Sequence, residues 1–289
     1  MSEPRLAQSI NRVESSFLDN ELSPETHARE KDENGLTIFI PNWNHRSFLP
    51  RSLRSTLDAV KRLEAEGYSA EILVIDDASR DGSQKLVRTI RALYNEPSLR
   101  LISLKQNYGQ ARLSNVALQA ARFRYVCRMD ADNELVPENL HLFLRSAQQT
   151  GATMTYGNLI DKRSAEVVGI RSNMAATLHL LGRNYIDAFA IFDASRVIQL
   201  GGFTRVHPYS PDDWELLLHL IAEEQLIVLV PVIMGYYHLN RLSASTELSQ
   251  TNQGRATLQR IYAQTGTRPW DDLQVGRVHH PDVGFLDEW

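Results

Sequence analysis

The sequence predicts an α/β fold, in which a mostly parallel sheet is covered by helices on both faces. Two observations support this prediction. Short β-rich runs alternate with longer stretches of helical periodicity, and a polar cluster follows the end of each β-rich run. Strands that alternate with helices form parallel sheets, because each helix returns the chain to the same end of the sheet. Ligands bind beyond the carboxyl ends of such strands, so the polar clusters contain the candidate functional residues.

Each element follows from the spacing of its apolar residues. The strand candidates are short and rich in Leu, Ile and Val, and they span residues 36–40, 71–76, 99–104 and 123–130. Helical spacing follows each of them, in residues 49–63, 86–93 and 109–122 and in a helix that opens near Pro137. Beyond residue 150 the pattern is less regular, and we predict strands at 154–158 and 226–230 and a helical segment near 174–182.

The first 35 residues differ from the rest, because they are mostly polar and charged. Apolar residues recur there at helical spacing, at Leu6, Ile10, Val13 and Phe17. We therefore expect a helical arm followed by a loop that ends at Gly35. The arm could pack on the main domain, on a second copy in a homodimer, or on a neighbouring domain.

Composition excludes several classes of protein. The chain has 289 residues and a formal net charge of -4, which argues against a general nucleic-acid binder because such proteins need a basic surface. Cys127 is the only cysteine, so no internal disulfide can form, and we interpret it as a small buried residue. No apolar run approaches the roughly 20 residues of a membrane span. We expect a cytoplasmic protein, with peripheral association at the inner face of the membrane left open.

The acidic pair Asp130 and Asp132 follows the fourth strand. Two carboxylates separated by one residue can bind a hard divalent cation, which takes its other ligands from a diphosphate. A turn that leads into the next helix is the structural alternative.

Two further clusters follow the second and first strands. Asp77 could accept a hydrogen bond from a nucleobase, or it could serve only the turn that contains Ser79 and Asp81. Pro41 shapes the turn after the first strand, and Trp43 could lie against a base or belong to the core. Paired acids after a strand also occur in phosphorylatable receiver domains, which would have no use for Asp130 and Asp132.

Three more candidates lie further along the chain. Arg112, one turn into a helix, could grip a phosphate or carboxylate with its guanidinium, or form a surface salt bridge. Asp212 and Asp213 follow Ser210-Pro211 in the first turn of a helix. Acids there also have a purely structural explanation, because the helix dipole stabilises negative charge at the N-terminus. Asp213 is the candidate general base, and we expect it to stay ionised at neutral pH. His238 and Asn240 are candidates to complete a metal site, with Ser243 and Ser245 nearby as candidates to contact a phosphate.

The order and spacing of these clusters resemble family 2 glycosyltransferases of the GT-A fold, from about Leu36 to Thr246. The resemblance implies an inverting transferase that uses a sugar nucleotide, with a UDP-sugar favoured, a divalent metal (Mn²⁺ or Mg²⁺) and a glycan or glycolipid acceptor. It implies these roles: donor binding by Pro41, Trp43, Asn44, Asp77, Arg112, Asp130 and Asp132; acceptor binding by Gly202 and Asp212; direct metal binding by Asp132; and catalysis by Asp213.

The resemblance also divides the chain. A donor half would span residues 36–135 and an acceptor half 136–246, between the arm at 1–35 and a C-terminal extension at 247–289 with a helix near Leu258 and Ile261. Two positions depart from the family pattern. Asp212 stands where the family has glutamate, and Asn240 stands where it has histidine, which leaves His238 or Asn240 as the final metal ligand.

Other classes of function fit less well. A sugar nucleotidyltransferase would need a glycine-rich basic loop after the first strand, where this chain has PNWNHRS, and a dehydrogenase would need GxGxxG. The alternative from a different class is a non-catalytic module that binds sugar nucleotides within a larger glycan-assembling protein.

Overall fold

The computed structural model describes residues 31–176, 180, 184–204, 212–239, 263, 278–280 and 284–286. The strands are β1 (Asp32–Asn42), β2 (Ser69–Asp76), β3 (Leu99–Ser103), β4 (Phe123–Arg128), β5 (Glu134–Leu135), β6 (Met154–Arg163), β7 (Glu166–Arg171), β8 (Ile191–Asp193), β9 (Ile227–His238), β10 (Val278–His280) and β11 (Gly284–Leu286). The helices are α1 (Leu49–Ala65), α2 (Ser83–Leu93), α3 (Gln110–Ala120), α4 (Leu140–Thr150), α5 (Ala194–Gln199) and α6 (Asp212–Ala222).

The first four strands form the parallel part of the sheet. Its strand order is β3-β2-β1-β4-β8-β6-β9-β5, and β7 pairs with β6. β1 runs parallel to β2 and β4, and β2 parallel to β3, so their carboxyl ends share one edge. The second half of the sheet is mixed, because β8 pairs antiparallel with β4 and β6 while β6 and β9 are parallel.

Helices cover both faces of the sheet, as predicted. Alternate residues of β1 explain why: Leu36, Ile38 and Ile40 face a cluster that includes α1, α2 and α4, whereas Phe39 faces a cluster that includes α3, α5 and α6. Cys127 is fully buried in the first cluster, as its sequence context predicted, and burial raises the pKa of its thiol. None of the described helices is long and apolar enough to cross a membrane.

The element boundaries differ from the predicted ones at two places. β1 begins at Asp32, so the loop predicted to end at Gly35 is wrong for its last residues. Gly35 itself pairs with Ser69, and a Cβ there would lie 2.4 Å from the Phe123 ring, which explains a glycine inside the strand. The helix predicted to open near Pro137 begins at Leu140, after a turn.

The remaining predicted strands are confirmed. β6 contains the predicted segment at 154–158, and β9 extends the predicted segment at 226–230 as far as His238. The helical arm in residues 1–30, most of the segment at 174–182, Asn240, Ser243, Ser245 and the helix near Leu258 lie outside the described residues. The division into arm, two halves and extension stays a prediction.

Candidate active site

The buried carboxylate of Asp76 organises the carboxyl ends of β1 and β2. Asp76 Oδ2 accepts from Asn42 Nδ2 at 2.6 Å, and Oδ1 accepts from the Ser79 backbone N–H at 2.9 Å and from Gln84 Nε2 at 2.8 Å. These bonds connect the end of β1, the β2–α2 loop and the start of α2. The loop after β2 is therefore held in one conformation beside the loop after β1.

A cleft of about 600 Å³ lies between these loops and the residues after β3. Its walls include Trp43, Asn44, Arg80 and Lys105. Asn44 is fixed at φ 55°, because its N–H donates to Ser79 Oγ at 2.8 Å and its Oδ1 accepts from the Arg80 N–H at 2.8 Å.

Trp43 is 54% exposed, so the interpretation of this residue as part of the core is wrong. Its ring lines the cleft, where it is accessible to a ligand. Pro41, by contrast, is buried within β1 and shapes the end of that strand.

Asp77 directly precedes Ala78 of the cleft and binds the loop that follows the cleft residue Asn107. Its two oxygens accept from the backbone N–H groups of Tyr108 and Gly109 at 2.8 and 2.9 Å. Burial raises the pKa of Asp77, although these two bonds oppose the increase. The carboxylate thus fixes the loop before α3, in which Gly109 adopts φ 83° as the N-cap of that helix.

The Arg112 side chain is exposed on the first turn of α3, and its guanidinium lies 4.9 Å from the centre of the Tyr108 ring. Arg112 therefore lies beside the loop that Asp77 holds. Its role in donor binding stays a prediction.

Arg128, at the end of β4, connects the remaining clusters. Its Nη1 donates to Asp212 Oδ2 at 2.9 Å and to Ser114 Oγ at 3.2 Å, and its Nη2 donates to Gln110 Oε1 at 3.1 Å. Only 6% of its side chain is exposed. Burial alone would lower the pKa of the guanidinium, but Asp212, Asp130 and Asp213 raise it, so Arg128 stays charged.

Asp130 lies beside this guanidinium, with Oδ1 at 3.8 Å from Arg128 Nε. A third of its side chain is exposed, yet Oδ1 is buried and has no hydrogen-bond partner among the residues that the structure describes. Burial raises the pKa of Asp130 to about 6; Arg128 opposes this change, and Asp132 and the acids of α6 add to it. Asp132 is half-buried, and its backbone carbonyl accepts from Arg51 Nη2 at 2.5 Å.

Asp213 belongs to the same acidic group. Its Oδ2 accepts from Asn184 Nδ2 at 3.1 Å, and its Oδ1 accepts from the Trp214 N–H at 2.8 Å. Burial raises the pKa of Asp213 to about 6, with Asp212 and Asp187 adding to the increase and Arg128 opposing it. The direction of this shift is opposite to the influence of a helix N-terminus, which favours an ionised acid. Asp213 is therefore a stronger base than an ordinary aspartate.

Asp187 also belongs to this acidic group, although no sequence pattern pointed to it. Burial raises its pKa to about 6, Asp130 adds to the increase, and the bond that it accepts from the Phe189 N–H at 3.0 Å opposes it. Arg171 Nη1 lies 3.7 Å from its Oδ2. Its segment is irregular, so no periodicity pointed to it, whereas Arg128 could have been noticed as a charge at the end of an apolar strand.

Gly202 is buried, with φ 72°, and its N–H donates to the Val197 carbonyl at 2.8 Å. Asn115 of α3 holds the next residue, Phe203, by two backbone bonds of 2.8 Å, one to the carbonyl and one from the N–H. The GGF segment thus packs against α3, and contact of Gly202 with an acceptor stays a prediction.

His238 is buried at the end of β9. Its Nε2 lies 2.6 Å from Glu134 Oε1, which also lies 3.3 Å from Arg51 Nε. Burial and Arg51 lower the pKa of His238, against the influence of Glu134. In the described part of the chain, no group of three or more His, Cys, Asp or Glu side chains is arranged to hold a metal ion.

The acids at this edge nevertheless suit a cation. The raised pKa values of Asp130, Asp187 and Asp213 reflect burial together with mutual repulsion of negative charge, and one Asp130 oxygen is buried with no hydrogen bond to any described residue. Such oxygens are the ligands that hard divalent cations prefer. These acids could therefore contribute single oxygens to a cation that takes its other ligands from a bound diphosphate.

The sequence matches the family model of Glycosyl transferase family 2 over residues 37–199. That stretch is more than half of the 289 residues. The chain therefore belongs to glycosyl transferase family 2, which confirms the class of protein predicted from the sequence.

Curated relatives agree with this assignment. The succinoglycan biosynthesis protein ExoO of Rhizobium meliloti (strain 1021) is 29% identical over 154 residues, which are 53% of this chain and 41% of that protein. The undecaprenyl-phosphate 4-deoxy-4-formamido-L-arabinose transferase of Pseudomonas fluorescens (strain Pf0-1) is 31% identical over 114 residues, which are 39% of this chain and 32% of that protein. The chain thus spans less than half the length of these relatives.

Solved structures share the fold. Staphylococcus aureus TarS in complex with UDP-GlcNAc has a TM-score of 0.59 and 16% identity, covering 80% of this chain and 71% of that chain. The mannosyltransferase PcManGT of Pyrobaculum calidifontis, in complex with GDP-Man and Mn²⁺, has a TM-score of 0.62 and 16% identity, covering 91% and 71%. These similarities confirm the predicted GT-A fold.

Proposed function

We propose that the chain is an inverting glycosyltransferase, which moves a sugar from a nucleoside diphosphate sugar, with a UDP-sugar favoured, to a hydroxyl group of a glycan or lipid-linked acceptor. One observation carries the proposal. Asp130 after β4 and Asp212-Asp213 at the start of α6, far apart in the sequence, meet around the guanidinium of Arg128. The names of the relatives, which include polysaccharide biosynthesis and undecaprenyl-phosphate sugar transfer, support the acceptor class.

The donor would bind along the carboxyl ends of β1, β2 and β4. Its base would enter the cleft and lie against the exposed ring of Trp43, with Asn44 and Arg80 beside it. Its diphosphate would lie towards Asp130 and Asp132, where Asp132 would bind Mn²⁺ or Mg²⁺ directly. A bound cation of this kind would offset the charge that develops on the leaving diphosphate.

Asp213 would act as the general base. The acceptor oxygen attacks C1 of the sugar on the face opposite the diphosphate, and its proton passes to an Asp213 oxygen. The bond between C1 and the diphosphate oxygen breaks, the electron pair leaves with the nucleoside diphosphate, and the configuration at C1 inverts. A pKa of about 6 suits this role, because the carboxylate is mostly ionised at neutral pH and still has appreciable basicity.

A second protein ligand to the cation, besides Asp132, would come from His238 or Asn240. His238 would have to exchange Glu134 for the cation, since its Nε2 is 2.6 Å from that carboxylate. Asn240 remains the other candidate. We propose that the donor diphosphate supplies ligands in either case.

Release of nucleoside diphosphate from a panel of UDP-, GDP- and dTDP-sugars, with Mn²⁺ and with EDTA, tests the proposal. We expect release from one donor class with Mn²⁺ only, and a loss of about 10²- to 10⁴-fold in Asp213→Asn with donor binding retained. Asp58→Asn is the control, because Asp58 is exposed on α1 and, among the described residues, forms an ion pair only with Lys61 of the same helix. Binding without turnover by any donor would instead favour the non-catalytic module.

A further inference from the structure

We infer that Arg128 is a positioning residue that fixes the catalytic base Asp213 relative to the donor site. We also infer that Asp212 acts by pairing with Arg128 rather than by binding the acceptor. The inference rests on the proposed function, in which Asp213 is the base. It assigns a role to a residue that no sequence motif singled out. It also changes the expected role of Asp212.

The contacts of one guanidinium carry the inference. Arg128 extends from β4 and bonds to Gln110 and Ser114 of α3 and to Asp212 of α6. The Phe203 ring of the GGF segment lies 5.4 Å from its Cζ. Three separate parts of the chain therefore take their positions from the same planar group. A guanidinium can do this because it offers several donors in a fixed geometry, which an ammonium does not.

The pair between Arg128 and Asp212 links the two halves of the site. Asp212 is the first residue of α6, and Asp213 follows it directly. A bond of 2.9 Å from Arg128 fixes the first turn of α6 against the end of β4. Because the donor-side acids follow β4, the distance between Asp213 and the donor depends on this bond.

Arg128 offsets the negative charge of Asp130 without forming a hydrogen bond to it. Nε and Asp130 Oδ1 are 3.8 Å apart, too far for a hydrogen bond, and each is buried without a hydrogen-bond partner in the described part of the chain. The Asp130 oxygen therefore remains available to a donor, while the nearby positive charge allows several acids to share the site.

Stability alone does not explain a buried arginine here. The desolvation of a buried ion pair offsets much of its electrostatic attraction. Apolar residues of similar volume at the same positions often give a fold of equal stability. A side chain that is 6% exposed and joins β4, α3 and α6 is better explained by the geometry that it imposes on the site.

Kinetics of Arg128→Lys, Arg128→Met and Arg128→Met/Asp212→Asn test the inference. The double variant removes the unpaired Asp212 charge, so it should regain most of the thermal stability lost in Arg128→Met. We expect kcat to stay about 10- to 1000-fold below wild type in all three variants, since a displacement of about 1 Å can cost 10²-fold. Donor KM should change by less than about threefold.

Arg124→Met is the matched control. Arg124 lies on the same strand and donates to the buried Asp193 at 2.9 and 2.7 Å, away from the acidic group. This variant should lose stability and keep kcat. If Arg128→Met does not fold, the Lys variant and Asp212→Asn carry the test.

Hydrogen–deuterium exchange gives a readout that is independent of turnover. Backbone amides of residues 212–217 should exchange faster in the Arg128 variants and at the wild-type rate in Arg124→Met. A double variant with wild-type kcat overturns the inference, as does unchanged exchange in that turn. Failure of the proposed function has a different signature, in which the wild-type protein releases no nucleoside diphosphate.

Discussion

Replacing Asp213 with asparagine is expected to stabilise the protein at neutral pH while it removes the proposed base. Burial and the neighbouring Asp212 and Asp187 make the ionised carboxylate unfavourable in the folded chain. Asparagine keeps nearly the same shape: its Oδ1 can accept from the Trp214 N–H, and its Nδ2 can donate to Asn184 Oδ1 once the Asn184 amide turns over. The substitution therefore removes a destabilising charge and leaves the local packing intact.

The magnitude follows from the pKa, which rises from 3.8 to about 6. Since each pKa unit corresponds to about 1.4 kcal/mol, ionised Asp213 destabilises the fold by up to about 3 kcal/mol. The folded state binds the proton more tightly than the unfolded state, so the contribution of Asp213 to stability is most favourable below pH 4 and decreases as the pH rises through about 6. The variant lacks this decrease, and the difference between the two proteins is greatest above pH 7.

Thermal unfolding of both proteins at pH 7.5 and pH 5, with EDTA and no donor, measures this effect. We expect Tm of Asp213→Asn to exceed that of wild type by on the order of 3 to 8 °C at pH 7.5, and by less at pH 5. Asp193→Asn is the opposite control, because it removes the buried negative charge that pairs with Arg124 and should lower Tm. Equal or lower Tm of Asp213→Asn at pH 7.5, or a difference that grows on acidification, would refute the electrostatic account.

Three other predictions concern turnover, donor binding and packing. The rate of transfer at low acceptor concentration should decrease below pH about 6, as Asp213 becomes protonated; a profile flat to pH 5 contradicts this. Trp43→Ala should weaken UDP binding in calorimetry by about 1 kcal/mol or more without a change in Tm, because the ring is 54% exposed. Gly157→Ala should destabilise the fold by about 1–3 kcal/mol in urea titrations, since its Cβ would lie 2.4 Å from the Phe143 ring; wild-type stability would refute it.

Much of the fold could be predicted because it depends on local patterns. Runs such as EILVID and LRLISL are apolar on both faces of the sheet, and the helices between them show one apolar stripe each. The start of β1 was missed because Asp32, Glu33 and Asn34 are exposed and polar, and the strand is defined there by pairing rather than by apolar side chains.

The site was predictable only in part, for a physical reason. Residues that follow parallel strands must share one edge, which made Asp77, Asp130 and Asp132 candidates from the sequence alone. Asp187 lies in an irregular segment, and its neighbours come from distant parts of the chain, so only the tertiary structure brings it to the acidic group. The two bonds of Asp77 to the Tyr108 and Gly109 amides could not be predicted, since they depend on how two loops meet, and its role in donor binding stays a prediction.

The central claim is that donor-side and acceptor-side acids surround one cation and its diphosphate. Anomalous diffraction at the manganese edge, from crystals containing UDP and Mn²⁺, tests it most directly. We predict a single manganese peak bound by Asp132 and by the diphosphate of UDP, in a cavity that Asp213 also faces. A peak remote from Asp132, or UDP bound where Asp213 cannot reach the end of its diphosphate, would contradict the account.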